Sequence, residues 1–106
     1  MMNQREDLIA THNARVAEII LQAHEQSPWH YHTKLTESVF CLHGHIEVQC
    51  GHPASTIRLS PGERYDLKPK VEHRVRNPTA ADASYLLVQN GSHDFIEIDR
   101  LSPVMC

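Results

Sequence analysis

The chain has 106 residues, which is enough for one domain with a modest hydrophobic core and no need for disulfide bonds. Ten Lys and Arg residues against thirteen Asp and Glu residues give a formal net charge of −3, which provides no basic field for a nucleic-acid backbone. The three cysteines lack a CxxC pair, which favours neither a disulfide framework nor a cysteine zinc site. From the cysteines we expect a reduced, cytoplasmic setting, and from the charge no nucleic-acid partner. Because no stretch has the length and apolarity of a signal peptide or a membrane span, we also expect a soluble protein with no membrane partner.

Short apolar segments with turn residues between them run along most of the chain, which is typical of an all-β sandwich or barrel. Residues 1–12 are too short a pattern to distinguish a helix from another structure. Strands are predicted at Val16–Leu21, Trp29–His32, Ser38–Leu42, Ile46–Cys50, Thr56–Leu59, Arg64–Leu67, Glu72–Val75, Tyr85–Gln89 and Phe95–Ile98. Turns are predicted at Gly44, Gly51-His52-Pro53, Ser60-Pro61-Gly62, Asn77-Pro78 and Asn90-Gly91. Of these, Pro61-Gly62 suits a type II turn and Asn90-Gly91 a tight hairpin.

Nine histidines are the unusual feature of the composition, because imidazole is the commonest metal ligand in proteins. Side chains alternate along a strand, so His30 and His32 project to the same face. Glu37 follows after four residues, and it would share one face of the next strand with Val39 and Cys41. A lone HxH pair is more often two surface or half-buried histidines, so the pair alone does not define a metal site.

The larger pattern is more specific than the pair. Four residues separate His32 from Glu37, and six more separate Glu37 from Gly44. His73 and Asn77 follow later in the chain, after the turn at Pro61-Gly62. This arrangement, from about Arg15 to Gln89, resembles the two motifs of the cupin superfamily. The resemblance implies a jelly-roll, double-stranded β-helix barrel over about residues 15–99 of a single domain, 1–106. It also implies that His30, His32, Glu37 and His73 bind one metal ion. At two positions where the family motifs usually have glycine, this sequence has His24 and Lys70 instead.

Three imidazoles and one carboxylate form a site of nitrogen and oxygen donors. Such a site suits divalent iron, manganese, nickel, copper or zinc and is poorly matched to calcium. Four protein ligands on an octahedral ion leave two positions for water, oxygen or a bidentate substrate, whereas a tetrahedral zinc ion would have none left. The ligand set therefore allows several metals and several reactions.

Three further side chains are candidate catalytic groups. Tyr65 and Tyr85 could each offer a hydroxyl near the metal, although packing in the core explains a strand tyrosine equally well. Cys41 could meet a substrate beside Glu37, or it could be a small buried hydrophobic residue. His43 and His45 flank Gly44 and are expected to face solvent at a turn. Cys50 and Cys106 have no role that the sequence indicates.

Three functions remain open at this stage. The first is a metal-dependent enzyme acting on a small-molecule substrate, with dioxygenase-like chemistry favoured. The second is a metal-dependent isomerase or lyase for a sugar or keto acid, which needs a general base near the metal. The third is a cupin that binds a small ligand without converting it, since a fold does not determine a function. The resemblance also implies a homodimer, because small cupins commonly pair.

Overall fold

The computed structural model describes residues 4–51 and 54–98, which form ten strands and no helix. All strand pairs are antiparallel, and they build two five-stranded sheets in the orders β1-β2-β9-β4-β7 and β10-β3-β8-β5-β6. The strands are β1 Gln4–Thr11, β2 Ala14–Leu21, β3 His30–Tyr31, β4 Leu35–His43, β5 Ile46–Gly51, β6 Ala54–Leu59, β7 Arg64–Leu67, β8 His73–Arg76, β9 Ala83–Gly91 and β10 Ile96–Glu97. The described residues contain no helix long and apolar enough to cross a membrane.

The architecture is the predicted jelly roll, a double-stranded β-helix. Each of the nine predicted strands has a counterpart within a few residues, from β2 to β10. The sequence does not decide the structure of residues 1–12, and from Gln4 onward this segment forms strand β1, not a helix. Every β1 side chain is exposed, so the segment has no buried alternation, and its hydrogen bonds to β2 decide the structure.

The core lies between the two sheets, and it follows from strict alternation of side chains. On β4 the buried side chains are Leu35, Glu37, Val39 and Cys41, and on β9 they are Ala83, Tyr85, Leu87 and Gln89. One end of this inner face is therefore apolar and fills the barrel. At the other end the polar pair Glu37 and Gln89 lies directly opposite each other across the two strands.

Glycine and asparagine have positions that the turn predictions only partly anticipated. Gly62 has a φ of +89°, and the Glu63 amide donates to the Ser60 carbonyl at 2.9 Å, as a type II turn requires. The hairpin predicted at Asn90-Gly91 is wrong, because both residues belong to strand β9. A Cβ on Gly91 would lie 2.3 Å from the Lys34 carbonyl oxygen, so the glycine permits a close approach of strands. His52, Pro53 and Cys106 lie outside the described residues.

Asn77 joins the loops at one end of the barrel. Its side chain is fully buried, and Nδ2 donates to the carbonyls of Leu21, Gln22 and Ala81. Its Oδ1 accepts from the amide and the hydroxyl of Thr79. The side chain thus satisfies backbone groups of two connections that would otherwise be buried without partners.

Candidate metal centre

Four side chains from both sheets converge between them. His30 lies on β3, directly opposite His73 on β8, and His32 follows β3 in the connection to β4. Glu37 projects from β4 in the facing sheet. One ligand atom from each of the four lies within 4.8 Å of every other, and all four residues are buried. The structure therefore brings together the four side chains that the sequence pattern selects.

Each imidazole is oriented by a backbone carbonyl. Nδ1 of His30 donates to Pro28, Nδ1 of His73 to Val71, and Nδ1 of His32 to Asp94. These bonds use the Nδ1 proton, so in the neutral ring the lone pair lies on Nε2. Metal-bound histidines are commonly held in this way by carbonyl or carboxylate partners on the other nitrogen.

The Nε2 atoms of two of these rings face the carboxylate of Glu37. The distances are 2.9 Å from His32 to Oε1 and 3.3 Å from His73 to Oε2. Two acceptors this close need a proton or a cation between them, and neither Nε2 atom has another partner among the described residues. The carboxylate and the rings thus form a preformed position for positive charge.

The pKa values of the cluster reflect the same arrangement. Burial would raise the pKa of Glu37, but hydrogen bonds with His32 and His73 outweigh it and hold the pKa well below the usual range. Burial would lower the pKa of His32, but its bonds to the Glu37 carboxylate and the Asp94 carbonyl raise it. Burial, and then the charge of His73, lower the pKa of His30 to about 4. His30 is therefore a neutral ligand, while at His32 a proton competes with the metal for Nε2.

Gln89 holds the carboxylate from the side. Its Nε2 donates to Oε1 of Glu37 at 3.1 Å, and both side chains are buried. Its Oε1 has no hydrogen-bond partner among the described residues and belongs to a side chain that lines the adjacent cavity. Gln89 is therefore a positioning residue for Glu37, and its own carbonyl oxygen is buried beside the site.

The turn before His73 keeps a glycine conformation without a glycine. Lys70 has a φ of +70°, the Val71 amide approaches the Lys68 carbonyl at 3.4 Å, and Pro69 takes the second position, the pattern of a type II turn. The Lys70 amide donates to the carbonyl of His32, so this strained turn supports a ligand directly. His24, at the other departure from the family pattern, has a φ of +60°. Both residues adopt the left-handed conformation that glycine tolerates best.

A cavity of about 160 Å³ opens beside the four converging side chains. His30, His32 and Glu37 line it, and so do apolar side chains of both sheets, including Ile19, Val75 and Leu87. The ring of Phe95 stacks on the ring of His30, with the ring centroids 4.4 Å apart and an angle of 18° between the ring planes. The cluster therefore has a side that a small molecule can reach.

The donor set fits a divalent transition metal. Three neutral Nε2 atoms and one carboxylate are ligands for iron, manganese, nickel, copper or zinc. The lone pairs on Nε2 of His32 and His73 face the buried carboxylate of Glu37. A cation between them would remove their mutual repulsion. An octahedral ion held there would have two positions left on its remaining side.

The family assignment rests on a comparison with family models, in which the cupin domain model matches residues 17–89. The chain belongs to the cupin family. This match includes all four converging side chains, together with Gly44, Gly62 and Asn77. A search of curated proteins finds no significant match.

Solved structures show the same fold at low sequence identity. A protein with a double-stranded β-helix domain from Klebsiella pneumoniae subsp. pneumoniae MGH 78578 has a TM-score of 0.81 at 16% identity, covering 92% of this chain and 85% of that one. A cupin 2 conserved barrel domain protein from Salinispora arenicola CNS-205 has a TM-score of 0.71 at 18% identity, covering 82% and 74%. An oxalate oxidase has a TM-score of 0.79 at 15% identity, and the match covers 91% of this cupin but 55% of that enzyme.

The three candidate catalytic side chains lie in different places. Tyr85 lines the cavity, and burial raises the pKa of its hydroxyl, as does the charge of Glu37. Tyr65 instead contacts Cys50, away from the cavity lining. Cys41 is buried, its Sγ lies 3.4 Å from the Gly44 carbonyl, and burial raises its pKa. Tyr85 is therefore the candidate that the structure brings to the site.

Among the side chains that line the cavity, sequence reasoning did not connect Arg5, Gln89, His93 and Phe95 with the site. Gln89 could have been found, because it continues the inward alternation of Tyr85 and Leu87. The other three carry no local signal, since Arg5 lies on the undecided segment and His93 and Phe95 follow the misassigned Asn90-Gly91. His43 and His45 are exposed, as expected.

Proposed function

We propose that this cupin is a metal-dependent enzyme acting on a small organic molecule. In this proposal His30, His32, Glu37 and His73 hold one divalent transition-metal ion. The observation that carries it is the convergence of four buried ligand atoms within 4.8 Å at the inner end of a cavity. A purely structural site would have no need of the cavity.

Dioxygenase-like chemistry is the favoured reaction. An ion held there would supply open positions where substrate and O₂ can meet. Because both oxygen atoms of O₂ enter the product of a dioxygenation, no external reductant is needed. The chain's own part is to hold the ligands rigidly, through the three backbone carbonyls and Gln89, and to surround the substrate with apolar walls that exclude water. The fold shared with an oxalate oxidase makes oxygen chemistry a reasonable first test.

The test combines metal analysis with oxygen uptake. Metal-free protein is loaded separately with iron, manganese, nickel, copper or zinc, and bound metal is measured by elemental analysis. Oxygen consumption is then followed with a chelating diketone, a phenol and a thiol. We expect one bound ion per chain, and we expect oxygen uptake with a redox-active metal but no oxygen uptake with zinc.

Two variants serve as the comparison. His30→Ala should lose both bound metal and oxygen uptake, whereas His43→Ala, at an exposed turn, should keep both. Uniform inactivity of every loaded form would refute the oxygenase proposal.

One observation favours isomerase or lyase chemistry as the second candidate. This route needs a base, and His93 lines the cavity. Burial and the charge of Arg15 lower the pKa of His93, so the ring is neutral and can accept a proton. Exchange of carbon-bound hydrogen with deuterium from the solvent, without O₂ and lost in His93→Asn, would support this candidate. A small ligand that is bound and recovered unchanged would instead support the binding-only function.

A homodimer is part of the same proposal. Strand β1 forms one edge of its sheet, and it exposes Leu8 and Ile9, 54% and 55% accessible. An edge strand with apolar side chains can pair with a second copy. Light scattering should give twice the chain mass, and Ile9→Lys should shift it toward the monomer; a monomeric wild-type protein would refute the dimer.

A further inference from the structure

Arg5 places a positive charge at the mouth of the cavity. It lies on β1 directly opposite Ile19, and both side chains line the cavity. Its Nε contacts Oδ1 of Asp7 at 3.0 Å, and both side chains are exposed to solvent. The structure gives it no other hydrogen bond within residues 4–51 and 54–98. Most of the guanidinium is therefore available to a ligand.

Arg15 lies on the same inner face as the metal-site carboxylate. It pairs with Gln89 across β2 and β9, and Gln89 pairs with Glu37 across β9 and β4. Directly opposed residues project to one face, so the three form a row across three strands. Arg15 is half-buried, with no ion pair or hydrogen bond in the described part of the chain. Burial and then the charge of Arg5 lower the pKa of Arg15, and the charges of Asp7 and Glu37 partly offset this effect.

The surrounding acidic groups offset the charge of these two arginines only in part. Asp7 forms its ion pair with Arg5, and the carboxylate of Glu37 contacts the imidazoles of His32 and His73. Asp94, on the same side, is held by the amide and hydroxyl of Thr33 at 2.9 and 2.6 Å. Positive charge therefore remains beside the open side of the cluster.

We propose that the substrate is a small organic anion whose carboxylate binds Arg5 and Arg15 while its other end reaches the metal. This inference rests on the proposed function and names its substrate class. Two strand spacings, about 10 Å, separate the backbones of Arg15 and Glu37, a gap that the arginine side chain and a short molecule can span together. Guanidinium groups suit this role because their planar donors match the two oxygens of a carboxylate.

The test separates the two ends of the ligand. Succinic acid monohydroxamate has a hydroxamate that chelates metal and a distal carboxylate; the matched neutral probe has a primary amide at that distal position. Dissociation constants are measured for both probes with cobalt(II)-loaded protein, from the visible absorption of the ion. We expect wild-type protein to bind the carboxylate probe about tenfold more tightly than the amide probe.

The variants assign this preference to the two arginines. In R5Q/R15Q the preference should fall to about one, while the amide probe keeps its wild-type affinity. The matched control is R58Q/R64Q, which removes the same charge from exposed positions on β6 and β7 and should keep the preference. If the double variant does not fold, as judged by circular dichroism, R5Q alone on the exposed strand β1 should still reduce the preference.

The possible failures are distinguishable. Equal binding of both probes by the wild type, or an unchanged preference in R5Q/R15Q or the folded R5Q fallback, would overturn the inference and leave the proposed function standing. An equal loss in R58Q/R64Q would assign the effect to net charge and would overturn it as well. If cobalt(II)-loaded wild-type protein binds neither probe, the open metal face itself is wrong, and the inference fails with the proposed function.

Discussion

Replacing Gln89 by leucine separates the support of the metal site from its ligands. Gln89 donates one hydrogen bond to Glu37 at 3.1 Å and has a buried Oε1 without a partner among the described residues. Leucine has a similar size and removes both polar groups. His32 still contacts the same carboxylate oxygen at 2.9 Å, so Glu37 is not left without a partner.

The magnitudes predict different effects on folding and on metal binding. A hydrogen bond to a charged group contributes about 1.5–3 kcal/mol, and a buried unsatisfied acceptor costs about 1–3 kcal/mol. The lost hydrogen bond and the removed penalty of the unsatisfied acceptor nearly cancel, so the free energy of unfolding of metal-free protein should change by less than about 1 kcal/mol. Partners that orient a metal ligand contribute about 10–100-fold in affinity, or about 1.4–2.7 kcal/mol. Gln89→Leu should therefore weaken metal binding by that factor.

The assay is competition for zinc against a chelating dye, accompanied by urea denaturation of metal-free protein. Gln49→Leu is the matched control, because Gln49 is also a glutamine on a strand but is half-buried on the outer face, where it accepts a hydrogen bond from Arg74. It should leave zinc affinity unchanged. An unaltered zinc affinity in Gln89→Leu would refute the positioning role, and a large loss of stability without metal would refute the cancellation.

His73→Ala should bind zinc more than about 100-fold more weakly than His43→Ala, because it removes a ligand itself; equal metal contents by elemental analysis would refute the four-ligand site. Asn77→Ala should lower the free energy of unfolding by about 3 kcal/mol, since it leaves several buried carbonyls unpaired; a melting temperature like that of the wild type would contradict this. Lys70→Gly should raise stability by about 0.5 kcal/mol, because relief of the left-handed strain exceeds the added entropy of the unfolded chain; urea denaturation would show a loss if the strain were absent. Zinc affinity should fall about tenfold per pH unit as the pH falls below the raised pKa of His32, because only the neutral ring binds metal; a dissociation constant independent of pH would refute proton competition.

Alternation along single strands made much of the fold predictable. Short apolar segments between turn residues predicted the strands from β2 onward, and the alternation of side chains along a strand predicted one face for His30 and His32. The spacing to Glu37 and His73, together with the family resemblance, predicted that these side chains would join them. A local pattern failed at Asn90-Gly91, where the turn-like composition is overruled by pairing with β2 and β4.

The sequence by itself determined the all-β class and the shared face of His30 and His32, because strand alternation is a property of the local backbone, and its resemblance to the cupins added Glu37 and His73. Only the tertiary structure decided what surrounds them. Arg5 reaches the cavity through the pairing of β1 with β2, and His93 and Phe95 through the path of the chain after β9. Arg15 is aligned with Gln89 and Glu37 by the pairing of β2, β9 and β4. The walls of a cavity depend on contacts between residues far apart in the chain, which are set by strand register and sheet order rather than by any local pattern.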